Sequence, residues 1–165
     1  MSSRRNVVAD LRSCADWFAY SLLALVILGP LLLPGYILNF DMVFAPKLDM
    51  PIKVDNLYAL NVLLHVLNWL IPSMIIEKLL LFVIFVLAGV GAHRLVLNAD
   101  RSAWWGAAFA GLLYMVNPFT YAHFMAGQYL VLAGYALLPW FTLSLWRFVN
   151  APGWRSCLKV VAWAL

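Results

Sequence analysis

Charge is what this sequence has least of. Charged side chains make up 11% of it, where an ordinary soluble domain has about a quarter. The stretch from Ser102 to Trp146 holds no Lys, Arg, Asp or Glu at all. With 65% hydrophobic residues, such a chain is too apolar to fold in water. Cysteine is also scarce. Cys14 and Cys157 lack metal-ligand spacing, so unpaired thiols are expected rather than a disulfide. There is no Gly-rich phosphate loop after a strand, no His-Glu-x-x-His and no Ser-centred nucleophile elbow, and three scattered histidines do not make a metal site. Internal repeats and low-complexity segments are missing too. The net charge of +4 does not imply nucleic acid, because the basic residues are spread along the chain and membrane topology accounts for them.

What is present is apolar helix. As helix, Ser102–Trp146 would extend about 67 Å, against roughly 30 Å for the hydrocarbon core of a bilayer. It therefore has room for two spans and a turn, and Asn117-Pro118-Phe119 breaks the run. A helical hairpin with a polar tip at a membrane face is expected there. The expected fold is all-α: a polytopic membrane helix bundle forming a single module over residues 1–165. Spans are placed at about 17–33, 74–96, 102–116 and 129–146, with a fifth beginning at 157–165. Because that last run stops in mid-helix, the chain reads as the N-terminal part of a larger protein.

With the N-terminus cytoplasmic, the inner segments carry eight Lys and Arg residues and the outer segments three. That asymmetry orients a multi-pass protein of the plasma membrane. His93, beside Arg94, is expected to anchor the inner boundary. Glu77 and Lys78 are expected near the outer one, where Lys can snorkel.

The long polar excursion, Pro34 to Ser73, then faces outward. Asp41 lies among Phe40, Met42, Val43 and Phe44, which makes it a candidate for partial desolvation and a role as general base. The alternative is a turn aspartate capping local amides. Further on, Tyr58, Asn61, His65 and Asn68 fall on one face of a helical pattern. That pattern fits an amphipathic helix lying in the interface, with its polar stripe either meeting water or lining a surface cavity. At the hairpin tip, Asn117 can satisfy the carbonyl freed by Pro118 or line a crevice. His123 and Gln128 are suited to hydrogen-bond a sugar or phosphate. The tyrosines at 114, 121 and 129 read better as an interfacial belt.

Two stretches carry a likeness. Pro34-Gly35-Tyr36 with Asp41-Met42-Val43-Phe44-Ala45-Pro46 resembles the first outer loop of large multi-span membrane proteins from actinobacteria and archaea. Asn117-Pro118-Phe119-Thr120-Tyr121 with Gly127-Gln128, then Gly134-Tyr135 and Leu138-Pro139-Trp140, is similar to a second segment of the same proteins. Their architecture is that of the GT-C glycosyltransferases, including arabinofuranosyltransferase-like proteins. The resemblance implies transfer of a sugar from a polyprenyl-phosphate carrier to an acceptor hydroxyl, on a glycan or other acceptor, at the outer face. Asp41 would be the general base. Lys47, Lys53 or His123 would offset charge on the departing phosphate. Asp49 would be a metal ligand or orienting group, which leaves a divalent metal open as cofactor without requiring it. Met42 follows Asp41 where several GT-C families have paired acids. The implied partners are membrane lipid, the lipid-linked donor and the acceptor, not nucleic acid.

A transferase predicts Asp41 at the mouth of a cavity near His123 and Gln128. A transporter or lipid flippase would place ionisable groups at mid-membrane or show inverted repeats. A non-catalytic membrane scaffold would leave Asp41 solvated.

Overall fold

A computed structural model describes residues 2–37, 40–41, 44 and 58–164. Every regular element among them is helical. Helix α1 (Ser2–Leu28) is continued by one 3-10 turn, Gly29–Leu32. After the loop come α2 (Tyr58–Leu70) and α3 (Ser73–Ala99). Then follow α4 (Trp104–Met115), α5 (Pro118–Met125), α6 (Tyr129–Asn150) and α7 (Trp154–Ala164). Three stretches, Cys14–Leu32, Ser73–Ala99 and Tyr129–Asn150, are long and apolar enough to cross a membrane. They coincide with the first, second and fourth expected spans. The third differs. Helix α4 has 12 residues, about 18 Å at 1.5 Å per residue, too short for a 30 Å core.

Helix α3 is the hub, because every residue from Ile84 to His93 except Leu87 is buried, and most of them are small or branched. It packs against α1, α2, α4 and α6. Its neighbours' directions follow from their contacts. The Trp140 indole N–H donates to the Leu87 carbonyl at 3.0 Å. Ile84 and Ala88 share a cluster with Leu132 and Ala136. Helices α3 and α6 thus run parallel. Phe85 meets Phe124 with ring centroids 5.9 Å apart, whereas Val96 shares a cavity wall with Ala110. The chain from α4 to α5 therefore runs antiparallel to α3, returning it to the end where α3 began. That end, shared by Leu32, Ser73 and Gly127, is called the loop end below.

Small residues let the helices close. A Cβ on Gly89 would collide with Tyr20 and Met115, and one on Gly111 with the Tyr20 hydroxyl. Gly106 has only Ala103 nearby, so it serves no such approach. Tyr20 is the pin between α1, α3 and α4. Its hydroxyl bonds His93 Nδ1 at 2.9 Å and donates to the Ala108 carbonyl at 3.4 Å. His93 is thus not a boundary anchor. It is 1% exposed, its Nε2 3.7 Å from the Asp16 carboxylate. The sequence misleads because the charge of adjacent Arg94, which stays partly exposed, suggests the same for His93. The Arg94 guanidinium lies 5.3 Å from the ring centroids of both Trp17 and Trp140, a cation–π arrangement. Trp140 also stacks on Trp163 of α7. Cys14 and Cys157 are exposed and unpaired.

Between α3 and α4 the chain turns at Asp100-Arg101-Ser102. The Asp100 carboxylate accepts the Ser102 hydroxyl at 2.7 Å and the Ser102 N–H at 2.8 Å. Both bonds favour the ionised form, so the Asp100 carboxyl is held below its ordinary range, first by the hydroxyl and then by the amide. The group is fully exposed, and its contribution to the turn follows from the sign. A depressed carboxyl supports the fold above the unfolded value, about 3.9, and that support is lost as pH falls through the lower folded value. The Asp100 carboxyl carbon, followed by NMR, should titrate below the midpoint of a peptide aspartate. Ser102→Ala should bring the midpoint back up.

Candidate functional site

The path from α4 to α5 is broken at Val116-Asn117, and the break is closed by two matched tyrosines. Tyr114 stands four residues before Pro118, and Tyr135 four residues before Pro139. Each proline lacks the N–H that would bond the carbonyl four residues back. The two orphaned carbonyls are exchanged. The Tyr114 hydroxyl donates to the Tyr135 carbonyl at 3.0 Å, and the Tyr135 hydroxyl to the Tyr114 carbonyl at 3.2 Å. The rings stack at 4.0 Å, 7° from parallel. Asn117 completes the closure. Its amide N–H2 reaches the Leu113 and Tyr114 carbonyls and the Tyr135 hydroxyl. Its carbonyl oxygen caps α5 by accepting the Thr120 N–H at 3.0 Å, with Pro118 in the first helical position, the usual order at a helix start.

The turn that reverses the chain is therefore not at Asn117, as the sequence suggests, but at Ala126-Gly127-Gln128. Gly127 adopts φ 76°, a left-handed conformation that glycine takes without steric penalty. The Gln128 N–H donates to the His123 carbonyl and the Gly127 N–H to the Phe124 carbonyl, the paired bonds of a Schellman helix end. Side chains repeat the link, because Gln128 Oε1 accepts from His123 Nδ1 at 2.5 Å. His123 is further held against the Phe119 ring, 4.2 Å between centroids.

Asp41 docks on this turn. Its backbone N–H donates to the Ala126 carbonyl at 3.0 Å. Three residues on, buried Phe44 lies against Tyr129, ring centroids 5.9 Å apart. Beside the turn lies a cleft of about 330 Å³ walled by Asp41, Gly127, Gln128, Tyr129, Leu130 and Val131. The apolar cover expected around Asp41 is not seen in its described neighbours. Asp41 is exposed, and Phe40 is 91% exposed.

The structure brings Asp41 and Gln128 into one cleft and sets His123 behind Gln128, to act through it. It commits Asn117 to the helix cap. His65, on α2, leans on Trp69 with ring centroids 6.2 Å apart, its Nδ1 buried without a hydrogen-bond partner. It is not among the residues walling the cleft. Lys47, Lys53 and Asp49 lie outside the described residues. A divalent cation needs six or more oxygen donors or several bound waters, and the described cleft offers one carboxylate. Among the described residues no three His, Cys, Asp or Glu side chains come together to hold a metal ion.

No protein-family model, curated protein or solved structure matches the chain. Two features escaped the sequence reading. One is the tyrosine pair, whose signal was the repeated Tyr-x-x-x-Pro spacing at 114–118 and 135–139. The other is Glu77, which the structure buries completely and which had no local signal.

The reciprocal bonds predict a measurable coupling. Tyr135→Phe should lower stability in detergent by about 1 kcal/mol by removing the hydroxyl that shares the Tyr114 carbonyl with the Asn117 amide. Tyr114→Phe should do the same. In thermal unfolding the double variant should cost less than the sum, since each bond loses meaning once the stack loosens.

Proposed function

We propose that the chain is a membrane-embedded glycosyltransferase-like protein of GT-C type. It would transfer a sugar from a polyprenyl-phosphate donor to an acceptor hydroxyl at the extracytoplasmic face. The carrying observation is the shared cleft, in which a loop carboxylate and the polar end of a membrane-embedded turn meet at one end of the bundle. In this reading the helices form a polytopic bundle of the plasma membrane with the N-terminus inside, and the loop end faces outward. Helix α2 then lies along the interface. Its Leu63, Val66, Trp69 and Leu70, all exposed, meet lipid.

The chemistry needs few groups. The Asp41 carboxylate takes the proton of the acceptor hydroxyl as that oxygen bonds the anomeric carbon. The bond from that carbon to the phosphate oxygen breaks, and polyprenyl phosphate leaves. Gln128, oriented by His123, offers its amide N–H2 to a sugar hydroxyl. Lys47 and Lys53, on the same loop, would balance the phosphate charge.

The exposure of Asp41 favours a second reading, a non-catalytic scaffold subunit, because a scaffold leaves that carboxylate in water. One substitution separates the two. Asp41→Asn should lower transfer from a lipid-linked sugar by about 10²–10⁴-fold, the range for losing a general base, with membrane insertion unchanged. Undiminished transfer would refute the catalytic role and leave the scaffold.

A further inference from the structure

The first two turns of α3 hold the segment that leads to Asp41. The Tyr36 hydroxyl and Ser73 Oγ share a hydrogen bond of 3.1 Å. The Gly35 N–H donates to Met74 Sδ at 3.1 Å, and the Lys78 ammonium donates to the Leu33 carbonyl. The Ile37 N–H donates to Glu77 Oε2 at 3.1 Å. Glu77 differs from the others in chemistry. It is 0% exposed, and its second oxygen, Oε1, has no hydrogen-bond partner.

A carboxyl group buried with one hydrogen bond is an expensive way to fill space. Ile76 and Leu81, buried on the same helix, fill space with apolar side chains. What Glu77 supplies is an acceptor. Ile37 is buried at a point with no regular backbone pairing, so without Glu77 its N–H would be an orphaned donor, which native structures rarely tolerate. Four residues later the Asp41 N–H bonds the Ala126 carbonyl. The path from 37 to 41 is thus fastened at both ends by backbone amides, one to α3 and one to the turn before α6.

We propose that Glu77 is a positioning residue for the Asp41 cleft. By holding the Ile37 N–H it sets where the loop meets the Ala126–Gln128 turn. Its consequence for activity rests on the transferase reading, but its action on the loop does not.

The test reads loop position directly. In a chain with Cys14→Ser and Cys157→Ser, Phe40→Cys and Met125→Cys place one thiol on the loop and one beside the turn. Both parent side chains are exposed. A second pair, Leu95→Cys with Thr142→Cys, bridges α3 and α6 across a cavity both residues line and reports the bundle. With a short bis-maleimide, Glu77→Gln, which keeps an acceptor oxygen, should cross-link 40 to 125 within about twofold of the parent rate. Glu77→Leu should slow that link about tenfold, the worth of one hydrogen bond to a charged group, and leave the 95–142 link unchanged. Equal 40–125 rates in Glu77→Leu and the parent would overturn the proposal. So would a Gln variant as slow as the Leu variant. A loss at both pairs would assign Glu77 to bundle stability and overturn it as well. Because cross-linking needs no turnover, these outcomes stand apart from whether Asp41→Asn abolishes transfer.

Discussion

The arrangement depends on how two broken helices satisfy their backbone in an apolar bundle. In a membrane interior no water would solvate a free carbonyl, so each would need a partner inside the protein. Pro118 and Pro139 each orphan one, and Tyr114 and Tyr135 each answer the other's. The exchange works only with the rings face to face, which fixes α4 against α6 at that height. It also lets the chain break in the bundle and start again as α5. Without α5, the turn at Gly127 would not reach the loop end.

Everything at the cleft is hung from that turn and from the start of α3. The Schellman geometry at Gly127 leaves the Ala126 carbonyl turned to the loop, where Asp41 takes it. Phe44 and Tyr129 add an apolar contact beside it, and His123 sets Gln128. At the other end of the bundle, packing takes over from backbone repair. Tyr20 fits where Gly89 and Gly111 leave no side chain, and Arg94 lies between two indoles. Buried His93, inside α3, is there matched by the Tyr20 hydroxyl, as expected when burial of a polar group must be matched by a bond.

Three of the four expected spans were legible because long uncharged runs have few alternatives to membrane-length helix. The third was misjudged for a physical reason. Asn117-Pro118 is a helix start as well as a helix break, and local sequence does not say which. The Asn117 amide and the Tyr135 hydroxyl, eighteen residues on, together make a break tolerable there. The burial of His93 and Glu77 was not legible for a related reason. Their charged neighbours, Arg94 and Lys78, suggested exposed positions, while the bonds to the buried groups come from Tyr20 and Ile37, far away in the chain. At the site, the placing of Asp41 beside Gln128 follows the topology, whereas His123 lies outside the cleft wall. The solvent exposure of Asp41 was not legible, because apolar neighbours in sequence need not be neighbours in space.

The most direct test of the central claim is where a lipid-linked sugar sits. A polyprenyl-phosphate sugar carrying a photoreactive group next to the phosphate should label the chain when irradiated in outward-facing vesicles. Adducts should concentrate on residues 126–131 and on the loop around Asp41, suppressed by excess unlabelled donor. Adducts spread evenly over the lipid-exposed helices, or concentrated at the Asp16–Arg94 end and unaffected by competitor, would contradict the central claim.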